Sequence, residues 1–71
     1  MNLIKERLVE ELKYSPYTTK QLAQMVGVSP EMITQYKTTK KLPKLETFAA
    51  LCKALECSAD YILGLDNEYT K

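Results

Sequence analysis

The chain has 71 residues, 45% of them hydrophobic, two cysteines, no histidine and a formal net charge of +1. That length supports one small domain whose core only just outweighs chain entropy. It contains no run of about 18 apolar residues that could span a membrane, and its charged opening, MNLIKERLVEEL, does not read as a secretory signal, so a cytoplasmic location is expected.

The first helix is predicted from Leu3 to Lys13 or Tyr14, with Asn2 as its N-cap and Ile4, Leu8 and Leu12 on one face. Ser15 and Pro16 end it, because the residue before a proline is pushed out of the helical region. A second helix starts at Thr18 or Thr19, either of which can cap, and turns Leu22, Ala23 and Val26 inward. Gly27 stops it, since glycine tolerates the left-handed backbone that ends a helix. Ser29 then restarts the chain: its hydroxyl can accept from a free first-turn N–H, Pro30 suits the first helical position, and Glu31 favours the positive end of the dipole. The third helix spans Pro30 to Thr38 and buries Ile33 and Tyr36.

A polar loop follows to Pro43, and Lys44, Leu45 and Glu46 open a fourth helix. Its predicted core stripe is Leu45, Phe48, Ala49, Cys52 and Leu55. Ser58 caps a fifth helix from Ala59 to Leu63, and Gly64 ends it. The expected fold is all-α, a compact bundle of five short helices in which the second and third form a helix-turn-helix. The domain is expected to cover residues 1–66, with 67–71 as a C-terminal tail.

The charges are unevenly placed. Lys37, Lys40, Lys41 and Lys44 crowd the loop after the third helix, with Lys20 at the start of the second, whereas Glu6, Glu10, Glu11, Asp60, Asp66 and Glu68 lie toward the two ends. A short basic segment beside a helix-turn-helix is what contact with DNA phosphates requires; ordinary surface lysines on a solvated loop would look the same. Cys52 and Cys57 match no common zinc spacing and have no histidine to complete a site, so two reduced thiols are expected, with Cys52 in the core. Neither a phosphate-cradling glycine loop nor a converging carboxylate pair is present, so no enzyme activity and no cofactor or metal are expected.

Leu22-Ala23, Gly27-Val28-Ser29, Ile33, Tyr36, Pro43, Leu45-Glu46-Thr47, Ala54-Leu55, Ser58 and Asp60-Tyr61-Ile62-Leu63-Gly64 stand in the order and spacing of a known family. The chain resembles the lambda-repressor-like helix-turn-helix domains, also called the Cro/repressor or Xre family, from its first helix to Asp66. The resemblance implies a bundle of five short helices and a small transcriptional regulator of bacterial or phage type, a repressor, binding operator DNA as a homodimer. It departs from the pattern at several positions. Thr19 stands where members carry a phosphate-holding Gln. Lys37 replaces a Glu that often pairs with an Arg late in the first helix, whose nearest counterpart is Lys13. Thr39 replaces a turn glycine, so that turn must strain a non-glycine residue or take another shape.

Carried over by position, the resemblance implies base reading by Pro30, Glu31, Thr34 and Gln35, from a third helix lying in the major groove. Gln35 can bond adenine through two atoms and Thr34 can offer a methyl or a hydroxyl, while Glu31 can accept from cytosine or repel wrong sequences. Phosphates would be met by Thr18, Thr19 and Lys20, and by Lys37, Thr38, Thr39, Lys40, Lys41 and Lys44. Tyr61, Leu65 and Tyr69 are the expected dimer contact. The competing reading keeps the fold but makes it a protein-interaction module, such as an antitoxin or an anti-repressor partner.

Overall fold

The structure, a computed structural model, describes residues 2–66. Its elements are α1 (Leu3–Lys13), α2 (Thr19–Val26), α3 (Pro30–Thr38), α4 (Leu45–Leu55) and α5 (Ala59–Leu63). Local chemistry accounts for most of their ends. Asn2 Oδ1 accepts from the Ile4 N–H at 2.8 Å and starts α1. Thr18 and Gln21 form a reciprocal capping box at the head of α2, the Thr18 hydroxyl accepting from the Gln21 N–H while the Gln21 side chain accepts from the Thr18 N–H. Gly27 ends α2 at φ 85°, and Ser29 caps α3 two residues later by accepting from the Met32 N–H.

α2 packs against α3 and α4, while α1 packs against α3 and α5. The core between them is Leu8 and Leu12 from α1, Leu22 and Ala23 from α2, Ile33 and Tyr36 from α3, Phe48, Leu51 and Cys52 from α4, and Ile62 from α5. Burying such side chains contributes roughly 1.5–3 kcal/mol each, which a domain this small needs from nearly every one. The packing also fixes how α3 is presented. With Ile33 and Tyr36 locked inward, the residues about half a turn away must face solvent.

The predicted face of α4 needs correction. Leu45 is 82% exposed and Ala49 is also exposed, whereas Thr47 and Leu51 are buried. Two stripes of helical period share Phe48 and Cys52, and their apolar content does not separate them. The docking of α2 selects the one that adds Thr47 and Leu51, which leaves Leu45 about a quarter-turn off its centre. α4 ends at Glu56, which holds the left-handed conformation at φ 54°, while Gly27 and Gly64 take that role after α2 and α5.

Candidate nucleic-acid interface

α3 carries its expected outward face. Pro30, Glu31, Thr34 and Gln35 are all exposed on it, opposite the buried Ile33 and Tyr36. Met32 is half-buried against the core margin, with the Lys41 ammonium 3.4 Å from its sulfur. The face therefore offers an amide, a hydroxyl and a carboxylate, with a cation at its flank. These are groups that can read base edges.

A second cation borders the face from the side of α2. Lys37, half-buried in the last turn of α3, donates from Nζ to Thr19 Oγ1 at 3.1 Å. That hydroxyl accepts the bond, so its own proton remains available. Thr18 and Lys20 are exposed beside it. The first turn of any α-helix leaves N–H groups without intrahelical partners, and the head of α2 adds them to this cluster. Helix N-terminus, hydroxyls and two lysines thus converge where the two helices of the motif meet.

The loop after α3 shows what Thr39 does in place of glycine. It adopts an ordinary extended conformation, φ −122° and ψ 178°, and the turn takes another shape without left-handed strain. Its hydroxyl donates to the Gln35 carbonyl at 2.7 Å and accepts from the Lys41 N–H at 3.2 Å. Thr38 likewise donates to the Thr34 carbonyl, at 2.9 Å. Each of these hydroxyls therefore has its single proton committed within the protein, which bears on their expected role toward phosphates. Lys40, Lys41 and Lys44 are exposed. Lys44 is the residue before α4, where its side chain, a donor without an acceptor, makes no capping bond.

Sequence reasoning missed two cations of α1. Lys5 Nζ donates to the carbonyl oxygens of both Tyr36 and Lys41, and burial pulls its pKa below the ordinary lysine value. Arg7 donates to the Tyr61 carbonyl and lies over the Tyr61 ring, 4.1 Å from its centroid. No local pattern marks either residue: both flank the apolar stripe of α1, and their partners lie 31 and more positions away.

Of the expected dimer residues, Tyr61 is half-buried beneath Arg7, Leu65 is 76% exposed, and Tyr69 lies outside the described residues. Leu42, Leu45 and Leu63 add exposed apolar surface nearby, lining one shallow hollow with Ile4, Leu8, Pro43 and Phe48. Both cysteines are free, Cys52 buried and Cys57 half-buried. Among the described residues no group of three or more His, Cys, Asp or Glu side chains is placed to hold a metal ion, and no helix is long and apolar enough to cross a membrane.

Residues 4–62 match the protein family described as Helix-turn-helix. The chain is similar to the Repressor protein C2 of Salmonella phage P22, 38% identical over 68 residues that make up 96% of this chain and 32% of the phage protein. It is also similar to the cryptic phage CTXphi transcriptional repressor RstR of Vibrio cholerae, 34% identical over 61 residues, or 86% of this chain and 54% of that protein. It thus spans about a third to a half of the length of these curated relatives. Its fold matches the crystal structure of the P22 c2 repressor protein in complex with synthetic operator 9T, with a TM-score of 0.73 and 38% identity, over 93% of this chain and all of that one.

Proposed function

The chain belongs to the Helix-turn-helix family, of the lambda-repressor-like kind, and we propose on that basis that it binds double-stranded DNA sequence-specifically as a small transcriptional repressor. α3 lies in the major groove, with Gln35, Thr34, Glu31 and Pro30 toward base edges. The observation that carries the reading is the flanking of that exposed face by cations from both sides, Lys37 beside Thr19 at one edge and Lys41 beside Met32 at the other. A cation on each side of a polar helix suits the two phosphate backbones that border a major groove.

In this reading residues 1–66 are the working domain, acting in the cytoplasm without enzymatic chemistry. Two copies bind together through the flank of α5, with Tyr61 and Leu65 and the exposed leucines beside them. Reading by a single copy has no arginine to bond guanine, so specificity depends on paired half-sites. The test is selection from a random duplex library at near-physiological salt. A two-fold symmetric motif with half-site centres about one helical turn apart is expected; no enrichment by the folded protein would overturn the reading.

A second reading, a protein-interaction module of the same fold, draws on the exposed apolar surface at Leu42, Leu45, Leu63 and Leu65. Changing Lys40 and Lys41 together to Glu separates the two. It abolishes retention of DNA in the first reading and leaves a protein partner bound in the second.

A further inference from the structure

The C-terminal end of α3 is capped differently from its neighbours. The last carbonyls of a helix need donors, and the common solution is a left-handed residue that turns the backbone N–H groups back onto them. α2 and α5 use Gly27 and Gly64 in this way, and α4 uses Glu56. α3 ends in the extended Thr39, whose own N–H bonds the Gln35 carbonyl, and among the described residues no left-handed residue follows it in the loop to turn further backbone N–H groups back. The Thr38 and Thr39 hydroxyls donate to the Thr34 and Gln35 carbonyls, the second of these adding to the Thr39 N–H already bonded there. The next one, Tyr36, is served by Lys5 from the first turn of α1.

The same ammonium also holds the Lys41 carbonyl. It therefore ties the last turn of α3 and the loop that follows to α1, where the loop's other bonds run back to α3 and its C-cap, from the Lys41 N–H to Thr39 and from the Lys41 ammonium to the Met32 sulfur. Lys5 lines the groove between α1 and the α3 exit together with Glu6, Val9, Glu10 and the Lys37–Lys40 stretch. Its stem is half-buried there, and two of its three ammonium protons are committed to protein carbonyls.

We propose that Lys5 is a positioning residue for DNA binding, fixing the α3 exit and the loop so that Lys40 and Lys41 meet phosphates from a set direction, without touching DNA itself. This rests on the DNA-binding reading above. A cation suits the position, since it also faces the negative end of the α3 dipole. Without it the loop samples other paths and must be ordered when DNA binds, which weakens affinity while the contacts of the bound state stay the same in number.

The test uses Lys5→Met, which keeps the stem and removes the donors, Lys5→Arg, which restores donors, and Lys41→Ala as a phosphate-contact reference. Two quantities are read: amide hydrogen exchange in the free protein, and affinity for a selected duplex as a function of salt. Lys5→Met is expected to speed exchange at residues 38–42 with the core amides of α1 and α4 unchanged. It should weaken binding roughly tenfold at fixed salt, the loss of hydrogen bonds to a charged donor. The slope of log affinity on log salt should stay at the wild-type value, and Lys5→Arg should recover both properties. Lys41→Ala should flatten that slope by about 0.9, the value for one phosphate.

Unchanged exchange at 38–42, or unchanged affinity, in Lys5→Met would overturn the proposal. So would a slope flattened as in Lys41→Ala, which would make Lys5 a direct phosphate contact. If Lys5→Met loses protection in the core as well, Lys5→Gln is measured in its place, and the same loss there would reduce Lys5 to a general prop of the fold. Wild-type protein that retains no duplex would sink the DNA-binding reading itself, and the exchange data would still decide whether Lys5 holds the loop.

Discussion

Lys37 Nζ donates to Thr19 Oγ1 across 3.1 Å, joining the last turn of α3 to the first turn of α2. Where relatives commonly place a glutamate paired with an arginine of the first helix, this chain places a cation whose hydrogen-bond partner is neutral. The charge is held in place without being cancelled. Thr19 is shorter than the usual glutamine, and Lys37 brings a stronger phosphate ligand to the same spot. Lys37→Met should therefore weaken DNA binding and flatten the salt slope by about 0.9. Lys37→Glu should weaken it further, since it places a carboxylate where a phosphate is to be met. Fluorescence anisotropy across a salt series measures both, and an unchanged slope in Lys37→Met would remove Lys37 from the interface.

Gln35 is exposed on α3 one position before the buried Tyr36, so its side chain lies on the outward face while the backbone beneath it is locked. Gln35→Ala should cost about 1–3 kcal/mol of discrimination at one base pair of each half-site, with the salt slope unchanged. Repeating the library selection with the variant checks this: the motif should relax at that position and persist elsewhere. A motif identical to that of the wild type would assign Gln35 to the solvated surface.

The two leucines that exchange roles in α4 give a stability test. Leu51 is fully buried, so Leu51→Ala should destabilise the fold by about 2–5 kcal/mol through lost burial and the cavity left behind. Leu45 is 82% exposed, and Leu45→Ala should change stability by no more than about 0.5 kcal/mol. Urea unfolding followed by circular dichroism compares them, and comparable losses would mean that α4 docks by the other stripe.

The cysteines predict an alkaline limit. Burial pushes the Cys57 thiol up to about 12, and the Cys52 thiol shifts in the same direction for the same reason. An unfolded chain releases these protons near pH 8.5. Above that value the unfolded state binds fewer protons than the folded one, so stability falls as pH rises toward 12, and the thiols add no pH dependence below about 8. Cys57→Ser should therefore lose less stability than wild type between pH 7 and pH 10 in matched urea titrations. Equal losses would mean that the Cys57 thiolate is not disfavoured by folding.

Helix boundaries were legible because their signals are local. A glycine that tolerates positive φ, a serine that caps and a proline at the first helical position act within one turn of chain, so Gly27, Ser29 and Pro30 announce the motif before any packing is known. The outward face of α3 followed from the same period once Ile33 and Tyr36 were taken as core. At Thr39 the sequence posed a choice between a strained residue and a different turn. The extended backbone that resolves it depends on side-chain bonds within α3 and on an ammonium from α1.

By itself, then, the order of residues determined the helices, their caps, the helix-turn-helix and which groups face outward from α3, because each depends on contacts a few residues apart. Only the tertiary structure decided which stripe of α4 is buried, that Lys37 sits on Thr19, that Arg7 covers Tyr61 and that Lys5 reaches Tyr36 and Lys41. Lysine and arginine side chains are long, flexible and compatible with either water or a distant carbonyl. Where each one ends is settled by the docking of whole helices, which brings acceptors within reach that no spacing along the chain reveals.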